Sequence, residues 1–128
     1  QLSSIEASAY RLNGKGIEKA TNSANRTNRV KVCMTISKNT LAAKGERTLY
    51  LRINTPDRRV LAANSDEKTM WVGGEKMIYS SSQVINYNGD PTGCCLSFNS
   101  QTELSSGSYT FAVYTSNEKI GEARLTLE

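Results

Sequence analysis

The chain has 128 residues, of which 38% are hydrophobic, and its 16 basic and 12 acidic side chains give a net charge of +4. This length suits one domain with a hydrophobic core of its own, and the scatter of the basic residues disfavours a nucleic-acid-binding protein. The absence of histidine, with only three cysteines, excludes histidine general bases, Ser-His-Asp and Cys-His pairs, and a zinc site of four thiolates from one chain.

The first predicted strand spans Leu2–Leu12, where Ile5, Ala7 and Ala9 recur at alternate positions. Residues 13–29 then lose this periodicity. A connection of this length is uncommon in a compact domain, so we expect it to be functional or mobile. It also contains the densest group of basic side chains in the chain, namely Lys15, Lys19, Arg26 and Arg29.

Two strands with clear alternation follow. From Val30 to Ser37, large apolar side chains alternate with polar or small ones, which predicts one buried face. From Thr48 to Asn54, leucine and isoleucine point to one side, and Tyr50 and Arg52 point to the other. Because Tyr50 and Arg52 lie on the outward face, they are candidate partner-binding residues.

The middle of the chain predicts short strands separated by turns. Pro56 favours a turn over Thr55–Arg58, because proline fixes φ at the second position. Gly73-Gly74 and Asn88–Pro91 are further turn signals. Between these turns we predict strands at Val60–Ala62, Thr69–Val72, Lys76–Ser80, Gln83–Tyr87 and Gly93–Phe98, with a polar loop at Asn64–Lys68.

The last predicted element is a hairpin at Leu104–Leu127. Tyr109, Phe111 and Val113 form an apolar face on its first strand, and residues 116–119 make a polar break that suits a tight turn. A buried tyrosine just after a glycine-containing turn is typical of the tyrosine corner of immunoglobulin-like (Ig-like) sandwiches. We therefore expect Tyr109 to lie in the core, near the entry of its strand.

Together these elements predict an all-β domain. About eight or nine short strands, turn signals every ~8–12 residues and the lack of an amphipathic helix indicate a sandwich or barrel. We predict one domain over residues 1–128, an Ig-like β-sandwich of roughly seven to nine antiparallel strands in two sheets. No apolar run approaches the ~20 residues with which a helix spans a bilayer.

The three cysteines are Cys33, Cys94 and Cys95. Strand alternation points Cys94 and Cys95 to opposite faces, which argues against a disulfide between these neighbours. Cys33 can pair with either of them across neighbouring strands or sheets, or all three can act as small apolar residues. Without a histidine to activate a thiol, a catalytic cysteine is not expected.

Trp71 is the only tryptophan of the chain and lies beside Gly73-Gly74. A half-buried packing residue in a strand is the usual role of tryptophan, and a platform for a sugar ring is the alternative. With Tyr50 and Arg52, it is a candidate anchor for a partner. The basic group within residues 15–29 can contact phosphate or an anionic lipid head, although such charges usually face only water.

The loop carboxylates show no spacing that fixes a catalytic pair or a metal site. A glycosidase needs two carboxyl groups at a set separation, and calcium needs several oxygen ligands together. We therefore predict no enzyme activity, no metal and no cofactor. The carboxylates considered are Asp57, Asp66, Glu67, Glu75, Asp90 and Glu103.

Several segments follow a known pattern: 29–36, 44–61, 79–80, 84–87, 95–96, 107–109, 120–121 and 125–127. In these segments the chain resembles the C-terminal Ig-like domain of membrane-anchored coiled-coil proteins of Bacteroidota. The resemblance covers nearly the whole chain, and its motifs are structural, so it implies a fold and a setting but no catalytic residues. The chain differs at Arg59, where a glycine-like turn residue is more usual, and at Cys94, which doubles the cysteine.

The resemblance implies a membrane helix and a long coiled coil upstream of these residues. We expect the 128 residues to be a fragment or a mature product. It further implies a non-catalytic binding or assembly domain in the cell envelope, on the periplasmic side, with a protein partner and homo-oligomers formed through the coiled coil. Two alternatives remain open. One is a carbohydrate-binding module that uses Trp71 and exposed tyrosines, and the other is an anion or nucleic-acid binder that uses residues 15–31.

Overall fold

The structure, a computed structural model, describes residues 2–37, 45–62, 68–115 and 118–128. This part of the chain contains ten strands and a short 3₁₀ helix at Ala24–Arg26. The strands are β1 (Leu2–Leu12), β2 (Glu18–Ala20), β3 (Arg29–Ile36), β4 (Gly45–Asn54), β5 (Lys68–Val72), β6 (Glu75–Tyr79), β7 (Ser81–Tyr87), β8 (Thr92–Asn99), β9 (Gly107–Tyr114) and β10 (Lys119–Leu127). Within the same ranges, no helix has the length and apolar character needed to cross a membrane.

The strands pair antiparallel and form three sheets. Sheet A has the order β2-β1-β3-β8, and sheet B has the order β10-β9-β4-β7. Strands β5 and β6 form a separate two-stranded sheet, the β5–β6 hairpin. The predicted all-β class with antiparallel sheets is therefore confirmed.

One hydrophobic core joins the inner faces of sheets A and B. Along β3, each partly exposed residue is followed by a buried one, and β4 and β9 supply the facing side chains from sheet B. Val32, Leu51 and Phe111 are 0% exposed, and burial of each such side chain contributes about 1.5–3 kcal/mol. The predicted alternation is confirmed, and it fixes which side chains remain on the outer faces.

The strand and sheet count exceeds the expected seven to nine strands in two sheets. Gly73 and Gly74 have positive φ values of 57° and 87°, a conformation that turns β5 directly back on β6 to form a sheet of their own. Strand β2 arises within the stretch expected to be irregular, because it pairs with the end of β1.

The strand expected at Val60–Ala62 is reduced to a single β-bridge between Val60 and Asn54. Most of the loop expected at Asn64–Lys68 lies outside the described residues.

Tyr109 lies near the start of β9 and is 1% exposed, as predicted. Its hydroxyl donates a hydrogen bond of 2.6 Å to the carbonyl oxygen of Ser105, so the ring is buried and its polar atom is satisfied. At Gly107, φ is 132°, and a Cβ atom would lie 2.6 Å from Cγ of Pro56. Only glycine fits this position, so the entry to β9 is held against the turn at residues 55–58.

That turn contains a residue in an unfavourable backbone conformation. The backbone N–H of Arg58 donates to the carbonyl oxygen of Thr55 at 2.9 Å and closes the predicted turn. The resemblance points to Arg59 as the unusual turn residue, but the positive φ, 67°, belongs to Arg58. Such a φ suits glycine and costs a residue with a Cβ atom roughly 1 kcal/mol.

Replacing Arg58 with glycine is expected to raise the free energy of unfolding by about 0.5–1 kcal/mol. The side chain is exposed, so little packing is lost. The matched control is Arg59→Gly, at a position without positive φ, which should lower stability because glycine gives the unfolded chain more freedom. Urea melts of the three proteins measure both effects. A less stable Arg58→Gly protein would contradict the backbone assignment.

The stretch between β1 and β3 is hydrogen-bonded to the end of β1 and to Glu128, which follows β10. The side-chain amide of Asn28 exchanges two hydrogen bonds with the backbone of Leu12, of 2.6 and 3.0 Å. The N–H of Ala24 donates to the carbonyl oxygen of Glu128 at 2.8 Å, and the N–H of Glu128 donates to that of Asn22 at 2.7 Å. The basic side chains of this stretch therefore project from an anchored backbone that connects β1 with the end of β10.

Candidate functional site

Tyr50 and Arg52 lie on the outer face of β4, as predicted, but both are only partly exposed. The ring of Tyr50 meets that of Tyr79 edge to face, with 5.0 Å between the ring centroids. Nε of Arg52 is buried and has no hydrogen-bond partner among the described residues. Because Tyr79 ends β6, the β5–β6 hairpin covers part of this face and reduces what Tyr50 can offer to a partner.

The β5–β6 hairpin has one face towards the domain and one towards solvent. Met70 pairs with Met77 and is 4% exposed, whereas Trp71 pairs with Lys76 and is 62% exposed. Strand alternation places Tyr79, which pairs with Lys68, on the face of Met70. The interpretation of Trp71 as a packing residue is therefore wrong, and Trp71 lies on the opposite side of the hairpin from the ring that contacts Tyr50.

The basic side chains predicted in residues 15–31 form two sets in the structure, and Lys15 belongs to neither. The carboxylate oxygens of Glu18 lie 3.4 Å from Nη1 of Arg29 and 3.1 Å from Nζ of Lys31. Nε of Arg29 also donates a hydrogen bond of 2.7 Å to Oδ1 of Asn99. Both cations are therefore ion-paired within sheet A, and the single carboxylate of Glu18 offsets one of their two charges. Lys15 lies exposed in the turn between β1 and β2.

The second basic set comprises Arg11, Lys19 and Arg26, which line a cavity of about 150 Å³ together with Ala20 and Thr21. Arg11 and Lys19 are direct cross-strand partners of β1 and β2. Sequence reasoning assigned Lys19 and Arg26 to one basic loop but missed Arg11. The register of β2 on β1 brings Arg11 into the set, and a three-residue strand gives no readable signal of its register.

Cys33 and Cys95 form a disulfide, which resolves the pairing that the sequence left open. They are cross-strand partners on the outer face of sheet A, with 4.0 Å between their Cα atoms. Cys94 is a free, half-buried thiol on the opposite face of β8, and burial raises its pKa. A raised pKa keeps the thiol protonated at neutral pH, which is unfavourable for a nucleophile.

Two larger cavities contain no evident acid–base pair. One, of about 350 Å³, is lined by Leu61, Ala62 and residues 98–102, which supply no carboxylate, amine or thiol. The other, of about 450 Å³, is lined by residues of β1, β3 and β8. Its one carboxylate, Glu6, and its one free thiol, Cys94, lie on opposite faces of sheet A. In the described ranges, no three His, Cys, Asp or Glu side chains are grouped as metal ligands.

The described loop carboxylates stay apart from these cavities. Asp57 accepts a hydrogen bond from the Thr55 hydroxyl and lies 2.8 Å from Arg59, and these contacts lower its pKa. A lowered pKa is the reverse of what a general acid requires. Asp66 and Glu67 lie outside the described residues.

The fold and its surfaces define an all-β domain of two facing antiparallel sheets with an additional hairpin. The chain belongs to the family described as "Domain of unknown function (DUF8428)", whose sequence profile matches residues 3–128. A comparison with curated proteins found no match.

Among solved structures, the chain is similar to the Pseudomonas fluorescens alkylpurine DNA glycosylase AlkC bound to DNA containing an abasic site analog. The two share 11% sequence identity with a TM-score of 0.48, and the match covers all of this chain but only 30% of that one. A likeness at this level carries no argument about function.

Proposed function

We propose that this chain is a non-catalytic binding domain that contacts a protein partner through the solvent face of the β5–β6 hairpin, with Trp71 as the anchor. The exposure of Trp71, 62%, carries the proposal. A tryptophan side chain buries roughly 150–250 Å² when covered. At about 25 cal/mol per Å², covering the exposed part of Trp71 would contribute on the order of 2–4 kcal/mol to binding.

The hairpin suits the presentation of such an anchor. Its other face is fixed to the domain by Met70, which is 4% exposed, and by the contact of Tyr79 with Tyr50. A rigid support lowers the entropic cost of binding, because the anchor is already ordered in the free protein. Trp71 is thus held in the solvent by a packed hairpin and is not the tip of a loose loop.

The Ig-like assignment is part of this proposal. The order β1-β3-β8 in sheet A and β10-β9-β4-β7 in sheet B fits an Ig-like arrangement of A-B-E and G-F-C-C′ strands. The hydrogen bond from Tyr109 to the backbone four residues upstream fits its tyrosine corner. The β5–β6 hairpin would then be an insertion before the C′ strand position occupied by β7.

We further propose that the domain is the end of a coiled-coil protein anchored in the cell envelope and faces the periplasm. The disulfide between Cys33 and Cys95 supports this setting, since disulfides persist in oxidising compartments and are rare in the reducing cytosol. Homo-oligomers would form through the upstream coiled coil. That arrangement would present several Trp71 side chains together and strengthen binding through multivalency.

Replacing Trp71 with alanine is expected to weaken binding of the protein partner at least about tenfold, as for an interface hot spot. The test isolates proteins that bind the immobilised chain from an envelope extract and measures the affinity of each purified candidate. The matched control is Val84→Ala, at an exposed apolar residue of β7 that is 56% exposed. Both variants should retain the stability of the parent within about 0.5 kcal/mol, since both side chains are exposed.

Full affinity of the Trp71→Ala protein for every purified partner would refute the proposal.

A carbohydrate-binding module remains the second candidate, because Thr69 and Lys76 accompany Trp71 on the solvent face and can hydrogen-bond to a sugar stacked on its ring. A glycan array distinguishes the two candidates. Glycan binding that is lost in the Trp71→Ala protein would show that the ligand of this face is a sugar and not a protein.

A further inference from the structure

The basic cavity between β1 and β2 arises from a continued strand pattern. Ala9 points into the core and is 3% exposed, and Arg11, two residues later, lies on the same face of β1. At Arg11 the strand has left the core, because Arg11 is exposed. Lys19 is its direct partner on β2 and shares this face. The inner face of sheet A therefore becomes cationic where it extends past the core.

This placement of two cations is electrostatically unfavourable without a counter-charge. Side chains directly opposite on antiparallel strands have Cβ atoms about 4.5–5.5 Å apart, and like charges there destabilise the pairing. The neighbouring cations Arg29 and Lys31 are paired with Glu18. In the described ranges no carboxylate forms an ion pair with Arg11, Lys19 or Arg26.

Arg26 reaches the same cavity from a fixed backbone. It ends the 3₁₀ helix, whose first residue, Ala24, is 5% exposed and belongs to the core. Its backbone N–H donates to the carbonyl oxygen of Ser23 at 3.1 Å, and the Thr27 hydroxyl donates to the same oxygen at 2.8 Å. The third cation is therefore positioned by the core and is not carried by a free loop.

The cavity also offers a hydroxyl donor. The oxygen of Thr21 accepts a hydrogen bond of 3.1 Å from the N–H of Ser23. This contact uses the oxygen as an acceptor and leaves its O–H available to donate. One hydroxyl and three cationic side chains thus line a single concave site.

We propose that Arg11, Lys19 and Arg26 bind a phosphate group. The cavity of about 150 Å³ is about five times the ~30 Å³ that one water molecule takes up, which suits one tetrahedral oxyanion with its four oxygens. Two guanidinium groups can each form paired hydrogen bonds to phosphate oxygens, and the lysine supplies a further charge. The charges converge on one concavity and do not form a stripe, so they favour a single phosphate group over a nucleic-acid backbone. The phosphate can belong to a soluble phosphorylated compound or to a lipid head group.

The test is an NMR titration of the chain with inorganic phosphate and with pyrophosphate at low ionic strength, where screening is weak. Saturable shifts are expected at the amides of residues 11, 19, 21 and 26. Lys19→Gln and Arg26→Gln should each weaken binding at least about tenfold, since each removes a charge-assisted hydrogen bond. The matched control, Arg124→Gln, removes an exposed cation of sheet B and should change the affinity less than about twofold.

Vesicle sedimentation distinguishes the two sources of phosphate. Binding to phosphatidic acid vesicles but not to phosphatidylcholine vesicles, lost in Lys19→Gln, would assign the site to a lipid head group. Absence of vesicle binding with saturable pyrophosphate shifts would assign it to a soluble compound. The proposal is refuted if phosphate, pyrophosphate and phosphatidic acid vesicles all fail to bind, or if any of them binds Lys19→Gln and Arg26→Gln as well as it binds the parent.

Lys19→Glu gives an independent readout of the geometry. In phosphate-free buffer it should raise the melting temperature, because an attractive pair with Arg11 replaces a repulsive one. Phosphate should raise the melting temperature of the parent through binding to the native state and have little effect on this variant. A melting temperature lowered by Lys19→Glu would contradict the juxtaposition on which the site depends.

Discussion

Replacing Tyr109 with alanine is expected to lower the free energy of unfolding by about 3–5 kcal/mol. The ring is 1% exposed and lies in the core cluster with Phe111 and Leu104. Its removal takes apolar surface from the core and leaves a cavity between the sheets. It also leaves the carbonyl oxygen of Ser105 without the hydroxyl that donates to it at 2.6 Å. Denaturant melts followed by circular dichroism measure the loss.

Tyr109→Phe separates the two contributions, because it retains the ring and removes only the hydroxyl. We expect this variant to lose about 0.5–1.5 kcal/mol, the net value of one hydrogen bond. Tyr114→Ala, on the outer face of the same strand and only partly buried, is the control for loss of an aromatic residue from β9. A loss below about 1 kcal/mol for Tyr109→Ala would show that Tyr109 is outside the core.

The sequence was sufficient to predict the strands that bury a regular face. Every second side chain is large and apolar along β3 and from Leu49 to Ile53 of β4, so a period of two is evident without knowledge of the neighbouring strands. The strand of Tyr109 and its partner β10 were equally readable. Of these strands, β3 is central in sheet A, and β4 and β9 are central in sheet B, which explains why the all-β class could be predicted.

Features that depend on pairing between strands were not predictable. Strand β2 has three residues and no apolar period, and it exists because β1 extends past the core and offers a partner. Trp71 is exposed because it lies on the opposite face of the β5–β6 hairpin from Met70, which is buried against the domain. Local composition cannot distinguish this from the usual half-buried tryptophan.

The candidate sites show the same contrast between what strand alternation predicts and what depends on strand pairing. Alternation correctly placed Tyr50 and Arg52 on an outer face, but it could not reveal that the β5–β6 hairpin covers part of that face. The basic group was visible as composition. Its separation into residues paired with Glu18 and residues that line the cavity with Arg11 required the register of β2 and β3 on β1.

Removing the disulfide between Cys33 and Cys95 is expected to lower the free energy of unfolding by about 2–4 kcal/mol. The bond joins residues 62 positions apart and therefore closes a large loop in the unfolded chain. In the chain-entropy description, such a loop confers about 4 kcal/mol, less any strain in the native bond. Cys95 is exposed and Cys33 is partly exposed, so their replacement by alanine costs little packing. The double variant Cys33→Ala/Cys95→Ala therefore reports the cross-link itself.

The m-value, the slope of the unfolding free energy against denaturant concentration, shows whether the disulfide acts on the unfolded chain. An unfolded chain without the cross-link exposes more surface, so the double variant should show a lower midpoint together with a higher m-value. Cys94→Ala, which removes the free thiol from the inner face of β8 and keeps the cross-link, should leave the m-value unchanged. The native pairing of β3 with β8 consists of backbone hydrogen bonds over residues 29–36 and 92–99, and it should survive the loss of the bond. An unchanged midpoint after complete reduction, verified by mass spectrometry of alkylated thiols, would contradict the contribution of the bond to stability.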